Sequence, residues 1–165
     1  MKLKMIEFFS LMCSALVMGV FWGTWFTLTR SIPVFSVAEF IHIGKTIMNN
    51  VGVPMSILMP STLLFMLIAI LLSRRSGSFY LYTISFLLML ITLIITVAVE
   101  VPIDNQIGTW TEATAPANWE SLRQKWDLFH TLRTFFSIGS VGSFAWGVIR
   151  RMPKTALGQN IRMPY

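Results

Sequence analysis

The chain has 165 residues, of which 55% are hydrophobic and 12% charged, with a mean hydropathy of +0.67. A soluble domain carries about twice that charge, so composition excludes an ordinary soluble fold and points to one membrane-embedded domain. The net charge of +6 is scattered along membrane edges with no binding fold around it, which argues against nucleic acid as a partner. The single cysteine, Cys13, lies in an apolar run and excludes an intrachain disulfide.

The first span covers residues 5–29, long enough to cross about 30 Å of hydrocarbon. Lys2 and Lys4 precede it as in a signal peptide, but the run is too long for such a segment and no A-x-A site follows. It is therefore expected to stay as a first helix. Gly19 and Gly23 form a GxxxG pattern suited to close helix approach, and Trp22 and Trp25 suit an outer interface.

An outer excursion follows over residues 31–53. Ser36 and Glu39 form a capping-box pattern, which predicts a short amphipathic helix from Val37 to about Asn50. Phe40, Ile41, Ile47, Met48 and Val51 share one side of it. Glu39, His42, Thr46 and Asn49 form the opposite stripe. That stripe faces either water or the mouth of the bundle.

The second span is residues 54–72, with Pro60 as a kink, and Ser73–Ser78 is a tight turn. The third span, residues 79–100, is almost purely aliphatic and ends at Glu100, where Pro102 forbids simple continuation. A loop over residues 101–118 leads to the last helix, residues 119–149, with Asn118 as its cap. Ser137, Gly139, Ser140, Gly142 and Ser143 make its inner half small. Arg150 and Arg151 stop it, and a short polar tail runs to Tyr165. The expected fold class is all-α: a single membrane domain over residues 1–165, built as a four-transmembrane-helix bundle with a short outer amphipathic helix between spans 1 and 2.

Four spans put both termini on one side. That side holds Lys2, Lys4, Arg74, Arg75, Arg150, Arg151, Lys154 and Arg162 with the single acid Glu7. The other holds Arg30, Lys45, Arg123, Lys125 and Arg133 with the remaining six acids, so the division is +7 against −1. The positive-inside rule then orients the chain N-in and C-in in the lipid bilayer.

The last helix places Asp127, His130, Thr134 and Ser137 along one stripe, with Arg133 beside it. Glu100, Asp104 and Asn105 stand at the same outer level by topology. An arginine and a histidine at membrane depth need partners or a polar cavity, and Glu100 or Asp104 can pair with Arg133. These charges either tie helices together at the surface or line a polar pocket opening outward. In the second reading His130 is the proton-transfer group. Glu39-x-x-His42 and Asp127-x-x-His130, with Glu100, partly match the ligand pattern of carboxylate-bridged di-metal bundles. His42 and His130 are also the only histidine pair available to ligate a b-type haem. A metal-free site is the preferred reading. Trp110, Trp119 and Trp126 form either an interfacial belt or the walls of a pocket for a flat aromatic or quinone-like ligand. No nucleophile elbow, Walker loop, Rossmann glycine pattern or HExxH motif is present.

The order Val101-Pro102-Ile103-Asp104-Asn105, Trp110, Pro116, Trp119, Arg123, Trp126, His130, Arg133 resembles the signature of the anthrone oxygenase-like membrane family. Many bacterial members of that family are known only as domains of unknown function. The resemblance implies a four-helix membrane bundle and a bacterial inner-membrane location. For characterised members it implies oxygenation of a polyketide anthrone to an anthraquinone, with no established metal or flavin. It carries over Asp104, Asn105, Trp110, Trp119, Arg123, Trp126, His130 and Arg133 as site candidates. In that scheme His130 is the base and Arg133 steadies the anion; Asp104, from the resemblance, and Asp127, from the stripe on the last helix, complete the expected catalytic set. Two classes of function stand side by side: a small membrane oxidoreductase acting on an apolar aromatic molecule, and a non-enzymatic accessory or assembly subunit whose polar cluster is structural.

The charge division predicts that, in spheroplasts, a protease site inserted at Gly77 is protected from external protease and one inserted at Ala113 is cut. The reverse pattern overturns the orientation.

Overall fold

The computed structural model describes residues 2–151; the tail expected after them lies outside the described residues. Helix α1 (Lys2–Thr24) runs through a π-helical turn (Trp25–Thr29) to a short 3-10 turn (Ile32–Val34). Helix α2 is Val37–Leu72. Helix α3 (Phe79–Ile95) passes through a second π-helical turn (Thr96–Glu100) into α4 (Val101–Thr109), and α5 is Trp119–Arg151. Four stretches are long and apolar enough to cross a membrane: Lys2–Val34, Val37–Leu72, Phe79–Thr109 and Trp119–Arg151. Leu16, Ile57, Leu64, Leu87, Ile94 and Phe135 remain exposed around the bundle, where lipid is their natural solvent. The end that holds Lys2 and Arg151 is called the inner end below.

Two boundaries differ from the sequence reading. The amphipathic outer helix does not stop near Asn50 but runs unbroken into the second span, with Pro54 and Pro60 inside it. Each proline removes one backbone donor. Both sit at exposed positions, however, and Met55, Met59, Thr62, Met66 and Ala69 keep one buried stripe across them. Burying that continuous stripe outweighs two missing hydrogen bonds. The third span likewise passes Glu100. The Val101 N–H donates to the Thr96 carbonyl five residues back, and this wide turn relieves the clash that Pro102 makes in an α-helix. The loop is therefore residues 110–118 rather than 101–118. Lys45 Nζ donates to the Trp110 carbonyl at 2.7 Å, placing a cation at the C-terminal end of α4.

Helices α3 and α5 form the tightest seam. Ser85 and Ser140 exchange hydrogen bonds, each hydroxyl donating to the other's carbonyl at 2.8 Å, and Ser78 Oγ donates to the Gly147 carbonyl at 2.7 Å. Small residues allow this approach. By contrast, Gly19 and Gly23 face open space, with no atom within 4 Å of the point a Cβ would occupy, so the GxxxG pattern makes no close contact among the described residues. At the inner end, Tyr82 Oη donates to Glu7 Oε1 at 2.5 Å and Arg151 pairs with Glu7 Oε2. The one inner acid thus ties α1, α3 and α5 together.

Tyr82 stacks on Phe144 with centroids 4.5 Å apart, and a Cβ at Gly147 would stand 2.6 Å from its ring. Gly147→Ala should therefore destabilise the bundle by roughly 1–3 kcal/mol through overpacking, read by thermal unfolding in detergent. Gly142→Ala, which meets open space, serves as the neutral control.

Candidate functional site

The π-helical turn at Thr96–Glu100 brings Glu100 into the bundle, where it is fully buried. On α5 the stripe His130, Arg133, Thr134, Ser137 is likewise buried. Arg133 Nη2 lies 2.8 Å from Glu100 Oε2 and 2.8 Å from His130 Nδ1, while Arg133 Nε donates to the same Nδ1 at 3.2 Å. Nη1 donates to Thr96 Oγ1 at 3.2 Å. The guanidinium also sits 4.5 Å over the Phe21 ring. A buried arginine needs this many partners to offset its desolvation. Glu100 Oε2 is in ion-pair contact with Arg133, but neither carboxylate oxygen meets the geometry of a hydrogen bond.

This arrangement fixes the tautomer of His130. Arginine has no acceptor and only donates, so Nδ1 accepts and the ring proton belongs on Nε2. The Trp126 indole stacks on the imidazole at 4.8 Å, within 6° of parallel, and its Nε1 donates to Asp104 Oδ1 at 3.0 Å. The imidazole, the indole and a carboxylate are thereby linked across α4 and α5. The buried Nε2 makes no hydrogen bond within the geometric limits, although the Phe21 backbone lies close to the imidazole. An unmet buried donor of this kind costs about 1–3 kcal/mol, which a ligand acceptor would recover.

Next to this cluster the outer half of the bundle encloses a cavity of about 310 Å³. Asp104, Thr96, His130, Arg133 and Trp126 supply its polar wall, and Val20, Phe21, Ile47, Met48, Met55 and Met59 much of the apolar remainder. Its outer side is closed by a packed group from four segments: Ile32, Phe40, Ile41, Ile103, Ile107, Trp110 and Trp126. The cavity is therefore mainly apolar and roofed, unlike the polar, outward-opening pocket read from the sequence. The roof forms because α2 and α4 extend beyond the expected span ends and bring their apolar faces together.

The remaining candidates fall outside the cavity wall. Arg123 stacks on Trp119 at 4.8 Å and donates to the Ile32 and Phe35 carbonyls at 3.3 and 3.4 Å, which pins the segment after α1. Trp110 is buried in the roof, Asn105 is exposed, and Asp127 is half-buried with one oxygen unpartnered. Glu39 closes the capping box with Ser36. It is exposed together with His42, Thr46 and Asn49, so that stripe faces away from the cavity. His42 and His130 accordingly do not face each other as a haem pair. The set Glu39, His42, Glu100, Asp127, His130 does not gather, and among the described residues no three His, Cys, Asp or Glu side chains form a metal cluster. Phe21, Thr96 and the methionines of α2 were missed by sequence reasoning. Apolar and hydroxyl side chains in a span carry no signal that separates a cavity wall from ordinary core.

A family model described as anthrone oxygenase matches residues 45–143, more than half of the chain. No curated protein and no solved structure matches the sequence.

If the ion pair holds the cluster, Glu100→Leu strands a buried guanidinium and should cost roughly 3–5 kcal/mol. The double change Glu100→Leu with Arg133→Leu should recover most of that loss. Unfolding titrations in detergent read both, and equal losses in the single and double variants overturn the assignment.

Proposed function

The chain belongs to the anthrone oxygenase family, and from that membership we propose that it is a membrane oxidoreductase that oxygenates a flat, apolar aromatic substrate within the cavity. The observation that carries the reading is a largely apolar chamber whose wall holds the imidazole of His130, the guanidinium of Arg133 and the Asp104 carboxylate together. A cavity of about 310 Å³ lies in the range of small-molecule sites. The charge division supports both termini lying on the cytoplasmic face of a bacterial inner membrane.

The chemistry follows from the acidity of a methylene group flanked by rings and conjugated with a ring carbonyl. Asp104 Oδ1 is held by Trp126, leaving Oδ2 to take a methylene proton. The electron pair delocalises onto the substrate oxygen, which accepts from His130 Nε2 and lies in the field of Arg133. Stabilising that oxyanion in an apolar chamber is worth far more than in water. The carbanion then gives one electron to dioxygen, and the radical pair joins as a C–O bond. The resulting peroxide anion takes a proton to give the substrate hydroperoxide. Loss of the second methylene proton then breaks the O–O bond, and the departing hydroxide takes up that proton as water, so CH2 and O2 become C=O and H2O. His130 thus serves as a donor and Asp104 as the base, which reverses the role that sequence reasoning gave the histidine. The reversal arises because Arg133 occupies the only lone pair of the imidazole.

The test uses purified protein in nanodiscs with anthrone under air, reading oxygen uptake and anthraquinone absorbance. Asp104→Asn and His130→Ala should each lower turnover about 10²-fold or more with elution from size exclusion unchanged. Turnover equal to wild type in both variants overturns the assignment. A wild type without turnover favours the accessory-subunit class instead.

A further inference from the structure

The cavity has one wall that is not covered by protein. Among its lining residues, Gly52, Ser56 and Pro60 on α2 and Val97 and Val101 around the α3–α4 junction are exposed at the bundle surface. Val97 is 59% and Val101 42% exposed. The first three repeat every four residues and the last two are four apart, so each group forms one edge along its helix. The two edges face one seam. It is thin because α2 packs chiefly on α1, while α3 packs chiefly on α5.

The depth of the seam decides what it meets. At 1.5 Å per residue, Pro60 stands roughly 18 Å and Gly52 roughly 30 Å from the inner end of α2. With a hydrocarbon core of about 30 Å, the seam spans the outer leaflet. Its edges suit lipid. The Ser56 hydroxyl donates back to the Val53 carbonyl at 2.8 Å, so it is satisfied within α2. The aqueous side, by contrast, is sealed by the packed roof of Ile32, Phe40, Ile107 and Trp126.

We infer that the α2/α3 seam is a lateral portal through which a bilayer-dissolved planar ketone or phenol passes from the outer leaflet to the His130 donor. This rests on the reading of the cavity as a substrate site and adds where the substrate comes from. A lipid route sets specificity by partition: an apolar polycycle is concentrated in the bilayer, and a charged or heavily hydroxylated analogue is not. The small edges at Gly52 and Ser56 leave a slot suited to a flat molecule.

The experiment loads wild-type protein in phosphatidylcholine nanodiscs with anthraquinone from the lipid phase and follows quenching of tryptophan fluorescence by stopped flow. Ser56→Phe and Val97→Phe, which fill the seam, should slow quenching about ten-fold. Val53→Phe, on the neighbouring exposed position that does not line the cavity, should leave it unchanged. A measurement that needs no bulky residue supports these: in a Cys13→Ala background, Ser56→Cys should react with a bilayer-partitioning maleimide, and anthraquinone should protect it. Seam variants that quench at the wild-type rate, or a thiol at position 56 that anthraquinone leaves unprotected, overturn the portal alone, provided wild-type quenching is lost in His130→Ala. Absence of quenching in the wild type overturns the substrate site itself, and the portal with it.

Discussion

The outer half of the protein depends on one buried contact, between Arg133 on α5 and Glu100 at the end of the α3 π-helical turn. Neither charge is tolerable alone at that depth. Paired, they join two spans that are otherwise held by serine–carbonyl hydrogen bonds nearer the inner end. The pairing also leaves Arg133 with donors to spare, and they go to Thr96 and to His130 Nδ1. A contact that offsets burial therefore also orients the imidazole. The site geometry is a consequence of charge accounting in lipid rather than an addition to a finished scaffold.

The π-helical turn links backbone to function. It absorbs Pro102, carries the third span on to Thr109, and turns Glu100 inward. It also lets α4 lay Ile103 and Ile107 against Phe40 and Trp126 as a roof. The Cβ position of Gly44 lies 3.3 Å from Ile107, so the small residue there permits that close crossing. A bundle whose third helix stopped at Glu100 would leave the chamber open to water. Water would weaken the field of Arg133 and the hydrogen bond offered by His130.

Much of the fold was legible because membrane helices announce themselves by length and hydropathy, and the capping box at Ser36 and Glu39 marked its helix start correctly. The two helix boundaries were misread at prolines, since a proline signals a lost hydrogen bond but not whether packing outweighs that loss. That Arg133 pairs with Glu100 or Asp104 was legible because charge in a span demands a partner, and the structure assigns the ion pair to Glu100. The direction of the His130 proton was not, since it depends on which ring nitrogen the guanidinium reaches. Arg123 and Trp119 looked like ligand contacts because aromatic and basic residues suit both pockets and braces. Here they brace the segment after α1.

The central claim is that Arg133 holds His130 as a neutral ring with its proton on Nε2. Nitrogen-15 NMR of the histidine-labelled protein in nanodiscs at neutral pH tests it directly, with His42→Gln removing the only other histidine signal. The account predicts an acceptor-type shift at Nδ1, a protonated shift at Nε2, and movement of the Nε2 signal when anthraquinone is added. A proton on Nδ1, or a doubly protonated ring, would contradict it.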